Sequence, residues 1–197
     1  MAIDRSKVIQ EMSTVRLQGN DEGLIPAMGV WVQQLPTDFW NKFAAKMLTM
    51  VKPADVSKVE QGLYFAAHEC GYHTGHGIIT SDEWNRVVAP MIENVPEDVL
   101  HGAYAVFTAW GWANAEIVQL VPAEKMVVRA LHYYESQGAK ECKITRPFAY
   151  MIRGVSAAFM DLAYGAPYPD GLGTYTCQQT KGVEVGDLFG EFVVTKN

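Results

Sequence analysis

An α+β fold is predicted, with N-terminal helices packed on a small antiparallel sheet of two hairpins that a long helix separates. Three features carry that prediction. Apolar residues recur three and four apart from about residue 37 to residue 110, the spacing of helices that bury one face. The period then shifts toward alternation in AEIVQLVP and KMVVRALHY, which Pro122, Ala123 and Glu124 join as a hairpin. From Pro147 the spacing turns helical again, and it gives way to TYTCQQT and LFGEFVVT, whose Thr, Tyr, Phe and Val content suits strands.

The elements follow in chain order. Residues 1 to about 35 mix polar residues with Gly19, Asn20, Gly23 and Pro26 before the short run MGVWVQQL, and read as an arm packed on the domain or on a second subunit. Thr37 caps a helix with Phe39, Trp40, Phe43, Ala44, Met47, Leu48 and Val51 at helical spacing, which Pro53 ends. A second helix starts at Asp55 or Val56, with Val59, Leu63, Ala66, Ala67 and Cys70 on its inner side. It runs into HECGYHTGHG, where Gly71, Gly75 and Gly77 predict a loose end. Ser81, Asp82 and Glu83 open a third, EWNRVVAPMIENV, strained or kinked at Pro90. Pro96, Glu97 and Asp98 open a fourth, with Val99, Leu100, Ala103, Val106, Phe107 and Trp110 as its apolar face. After the first hairpin, the helix from Pro147 carries Phe148, Met151, Ile152, Val155, Ala158, Phe159, Leu162 and Ala163. A second stripe on it runs Tyr150, Gly154, Ala157, Asp161. Gly154 inside a helix costs roughly 1 kcal/mol against Ala, so it signals a close neighbour, either packing or a ligand.

Composition narrows the function. At 197 residues the chain suits one domain with an N-terminal extension, and the division expected is 1–54, an arm and helix at a dimer interface, and 55–197. Hydrophobic residues make up 49% and charged ones 19%, so apolar surface is expected to be covered by a second copy or to line a cavity. A net charge of −6 without a Lys/Arg cluster argues against nucleic acid. No run of about 18 apolar residues predicts a membrane span, and MAIDRSKVIQEM lacks the apolar core of a signal peptide, so a cytoplasmic protein is expected. Cys70, Cys142 and Cys177 read as reduced, mostly buried thiols.

One cluster suggests a metal: His68, Cys70, His73 and His76. On one helix, at about 100° per residue, the imidazoles fan out instead of converging. The zincin pattern also fails, because Tyr72 stands four after His68. Capping, packing or a ligand-facing His are the simpler roles. No nucleophile–base motif, phosphate loop or dinucleotide fingerprint is present, and Glu69, Glu116 and Asp161 are scattered.

A helix with an internal Gly, a Gly-Ala-Pro turn, a Cys-bearing strand, a Gly-containing loop and the terminal strand GEFVV together resemble the 4-vinyl reductase, or hydrocarbon-binding, domain. The resemblance covers roughly residues 60 to 195 and rests on pattern and order. That family serves alone or as the sensor of phenol- and xylene-responsive activators, and shares its fold distantly with TRAPP subunits and haem nitric-oxide-binding domains. The resemblance implies a sensor or carrier that binds a small hydrophobic or aromatic molecule in an internal pocket. Tyr104, Phe107, Trp110, Trp112, Tyr150, Met151, Gly154 and Phe159 come from segments that flank such a pocket, or are core. His73, His101, Tyr104, Tyr150 and Arg153 are the polar groups that could orient a guest.

The alternatives are an enzyme or assembly factor for a tetrapyrrole or aromatic catabolite, with His73, His101 or Tyr150 as acid or base, and a TRAPP-like interaction protein. In phenol-sensing relatives a zinc is held by a Cys before the Gly-bearing helix, a Glu and a Cys in the next strand, and a Cys leading into the last. Cys177 fits the strand position, but Thr174 stands for the Glu, Phe189 or Gly190 replaces the last Cys, and Cys142 is too far from Gly154. No structural zinc is expected.

Overall fold

The structure, a computed structural model, describes residues 2–141 and 144–197. Among the described residues, seven α-helices, a short N-terminal hairpin and a four-stranded antiparallel sheet make the α+β architecture that the periodicity predicts. The N-terminal arm holds more structure than its composition suggests. α1 (Arg5–Met12) starts at Asp4, whose side chain accepts from the Lys7 N–H, and buries Val8 and Met12. β1 (Ile25–Ala27) and β2 (Val30–Val32) form the small hairpin.

α2 (Thr37–Thr49) and α3 (Val56–Ile79) follow on either side of Pro53. The expected loose end of α3 is not found: the helix runs unbroken through all three glycines to Ile79. Its inner face is also rotated from the expected one. Tyr64, Ala67, His68, Gly71, Tyr72, Gly75 and Ile78 are buried, while Ala66 and Cys70 are exposed. The reason is helix packing: small residues let a neighbouring helix approach, and that approach outweighs burial of Ala66. The expectation of mostly buried thiols therefore fails at Cys70 and holds at Cys177, while Cys142 lies outside the described residues.

α4 (Asp82–Val87) is capped by Ser81, whose Oγ accepts from the Trp84 N–H. It is shorter than expected, because Pro90 turns its continuation into a single 3₁₀ turn over Ala89–Met91. α5 (Glu97–Ala109) then leads into β3 (Ala113–Val121) and β4 (Lys125–Tyr133), the expected hairpin. α6 (Tyr134–Glu141), which the sequence does not signal, follows, and α7 (Tyr150–Tyr164) is the long helix between hairpins. β5 (Tyr175–Lys181) and β6 (Gly190–Lys196) complete a sheet of order β3-β4-β6-β5, with Val128 of β4 opposite Phe192 of β6. Met126, Val128, Ala130, Cys177, Phe192 and Val194 are buried in the same core as α5 and α7.

α3 and α7 pack closely against each other. A Cβ on Gly154 would stand 2.5 Å from the His68 backbone nitrogen and 2.6 Å from Ala67, so packing against α3, not space for a ligand, explains this glycine. Gly71 does the same from the other side, 2.9 Å from Val155 Cα. No helix among the described residues is long and apolar enough to cross a membrane.

Candidate functional site

α3 and α7 touch at Gly154 and Gly71, and with α5 they line one cavity. Each helix presents a stripe three and four apart to the space left between them: Gly71, Thr74, Gly75, Ile78 and Ile79 from α3; Val99, Leu100, Ala103, Val106 and Phe107 from α5; Val155, Phe159, Leu162 and Ala163 from α7. The result is a cavity of about 230 Å³, whose lining is completed by Trp110 and Trp112 and by Val95 and Pro96. Gly111, with φ +76°, turns the chain between the two indoles, so that both stand in the lining.

Aromatic packing fixes the wall. Phe107 lies 5.3 Å from Trp112 between ring centroids and 6.3 Å from Phe159, and Tyr104 meets Phe159 edge-on at 5.3 Å. Behind that wall the Tyr104 hydroxyl donates to Ser156 Oγ at 2.7 Å, and burial pushes its phenol far above the ordinary range. Arg5 ties down the end of α5 by donating to Thr108 Oγ1 at 2.8 Å and to the Tyr104 carbonyl at 3.3 Å. At the rim, Asp98 accepts from the N–H groups of Glu93 (3.0 Å) and Asn94 (2.9 Å), which holds the Val95–Pro96 segment in place. Burial would raise the Asp98 carboxyl, but those two donors keep it below the usual range.

Among the described residues, no ionisable side chain lines the cavity. Thr74 and the indole N–H groups of Trp110 and Trp112 are the hydrogen-bonding side chains there, and neither indole has a protein acceptor among the described residues. Such a site can desolvate an uncharged guest and offer it a few hydrogen bonds. It offers no acid or base.

Phe107, Trp110, Trp112 and Phe159 thus meet in one lining, with Tyr104 packed directly behind it. The other residues singled out from the sequence stand elsewhere. Tyr150 donates to Glu60 at 3.0 Å, and Met151 is half-buried beside Glu135, which accepts its N–H. His101 is half-buried, and burial lowers its pKa against a smaller opposing pull from Asp98. His73 is exposed, its Nδ1 2.9 Å from the Tyr168 hydroxyl, and His76 stacks on the same ring at 3.7 Å. Arg153 donates to the Cys177 carbonyl with its guanidinium over Tyr64, so it neither reaches the cavity nor stands free in solvent.

His68 and Asp161, treated separately in the sequence, are a buried pair. His68 Nε2 donates to Asp161 Oδ2 at 2.6 Å, and the same carboxylate accepts from the N–H groups of Gly173 and Tyr175, both at 2.8 Å. A sequence signal existed: an acid on the small-residue stripe Tyr150, Gly154, Ala157, Asp161 is buried with the stripe and needs a partner. The wall supplied by Gly71, Thr74, Gly75 and Ile78 was missed for a related reason, since that stretch reads as a loose, His-rich helix end.

No protein-family profile and no curated protein matches the chain. Solved structures do. The phenol-responsive sensory domain of the transcription activator PoxR, solved with phenol, superposes with a TM-score of 0.69 at 11% identity, covering 100% of this chain and 92% of that one. A trafficking protein particle complex subunit 3 from Naegleria fowleri, covalently bound to palmitic acid, does so with a TM-score of 0.54 at 12% identity, covering 82% and 95%. At these identities the likeness is one of fold, shared between a phenol-sensing domain and a TRAPP subunit.

Proposed function

We propose that the chain binds a small, uncharged hydrophobic or aromatic molecule in the cavity between α3, α5 and α7, as a sensor or carrier module that works as a homodimer. The observation that carries this reading is a 230 Å³ cavity whose lining is apolar but for one hydroxyl and two indoles. An engineered apolar cavity of about 150 Å³ stays dry and takes up benzene, so this one has room for a substituted ring. A phenol hydroxyl could pair with Thr74 or an indole. A carboxylate would be buried without a cation, at a prohibitive desolvation cost.

A tetrapyrrole is a poorer fit, since the volume falls short even of the roughly 300 Å³ at which pockets for drug-sized ligands begin. His73, His101 and Tyr150, the acids or bases of an enzymatic role, do not reach the lining, which supports binding over turnover. The two solved neighbours, one with phenol and one with palmitic acid, lend the fold a record of accommodating such guests.

Titration with toluene, followed by tryptophan fluorescence and calorimetry, tests the reading. Saturable binding is expected, with benzoate giving none. Ala103→Leu, which grows into the cavity from α5, should weaken toluene about tenfold or more without lowering the melting temperature. Absence of saturable toluene binding would overturn it.

A further inference from the structure

The geometry points to a second binding site, a polar cleft at the open end of the β3–β4 hairpin that takes a small, neutral, polyhydroxylated molecule. At that end Ala113 pairs with Tyr133 and Asn114 with His132, after which the register shifts. Gly111, at φ +76°, brings α5 into β3, and α6 leaves β4 directly at Tyr134, so the two connections end side by side. The cleft between them measures about 420 Å³, within the range of small-molecule sites, and Trp112, Asn114, His132, Tyr134, Ser136 and Gln137 stand in its lining. Among the described residues Trp112 is the only one that this cleft shares with the apolar cavity.

The chemistry of the lining selects the guest. Asn, Gln, His, Ser and Tyr side chains each donate and accept hydrogen bonds, as every hydroxyl of a sugar or polyol does, so lining and guest match group for group. Three of these groups are uncommitted: among the described residues the Asn114 amide nitrogen, the His132 ring and the Tyr134 hydroxyl have no protein hydrogen-bond partner. Burial pushes the Tyr134 phenol far above its ordinary range, which keeps it protonated and able to donate. The rings of Trp112 and Tyr134 add apolar faces against which the C–H groups of a sugar ring can pack. Among the described residues no acid, lysine or arginine lines the cleft. Arg5 holds two of its lining residues, donating to Thr108 Oγ1 at 2.8 Å and to Asn114 Oδ1 at 3.2 Å, both neutral oxygens. That charge repels a cation, and a guanidinium already spent on neutral oxygens is a weak anchor for an anion.

Heteronuclear NMR of the intact chain, titrated separately with glucose, galactose, mannose and myo-inositol to about 50 mM, tests this. At least one is expected to shift the amides of residues 111–114 and 132–137 saturably. Tyr134→Phe, which keeps the ring and removes the hydroxyl, should raise the dissociation constant about fivefold, and so should Asn114→Ala. The first of these stands as a readout even if Asn114→Ala, which also releases Arg5, unsettles the fold. No saturable shift with any of the four compounds, or a dissociation constant indifferent to Tyr134→Phe, would overturn the site. Acetate or phosphate shifting the same amides more tightly than all four would overturn it too, and would assign the cleft to an anion.

Discussion

Asp161 joins three parts of the chain through one carboxylate: α3 through His68, the turn after α7 through Gly173, and the start of β5 through Tyr175. It is fully buried, so Asp161→Asn, which turns one acceptor oxygen into a donor facing other donors, should cost about 3 kcal/mol by urea denaturation. Glu135 is a second buried acid, accepting from the N–H groups of Met151 and Ile152 at the start of α7. Burial pushes its carboxyl up to about 8, against the opposing pull of those donors and with a further push from Glu184. The folded chain therefore holds this proton where the unfolded chain has lost it. Its contribution to stability is complete below about pH 4.5 and is lost as pH rises toward about 8, a total on the order of a few kcal/mol. Glu135→Gln should flatten that fall in melting temperature, and an unchanged slope would show that Glu135 is ionised throughout.

At the level of elements, α3 against α7 positions everything else. Gly154→Ala would gain roughly 1 kcal/mol of helix propensity, yet its Cβ meets backbone at 2.5 Å, so a net loss of about 1 to 3 kcal/mol is expected in denaturant titration. The faces of α5 and α7 were legible in the sequence because each carries large apolar residues at helical spacing. The face of α3 was not, because what it buries is Tyr64, His68, Gly71 and Gly75, residues whose burial depends on a neighbour that periodicity does not reveal. α2 shows the reverse: Phe39, Trp40, Phe43 and Met47 have helical spacing and face outward, since spacing alone does not say whether the covering surface belongs to the same chain.

Across the whole molecule, two period shifts and a helix between the hairpins predicted an antiparallel sheet of two hairpins, and the structure has that architecture, while the pairing of β4 with β6 that sets the strand order carries no signal in the sequence. α1 and α6 escaped notice because RSKVIQEM and YESQGAKE are short and mostly polar, held by tertiary contacts such as Val8 and Ala139 in their respective cores. The site was legible by half: the aromatic wall on α5, the Trp110–Trp112 turn and α7 could be named, whereas the α3 wall could not. The polar orienting residues turn elsewhere, because a buried hydroxyl takes the nearest acceptor, as Tyr104 does with Ser156. What the three helices leave between them is an apolar space, and its occupation by a guest is the claim on which the proposed function stands. The most direct measurement is a bromine anomalous difference map from crystals of the chain equilibrated with bromobenzene. The account predicts one dominant peak in contact with Ala103, Gly75 and Phe159. A map with no peak there, or with bromine only on the molecular surface, would contradict it.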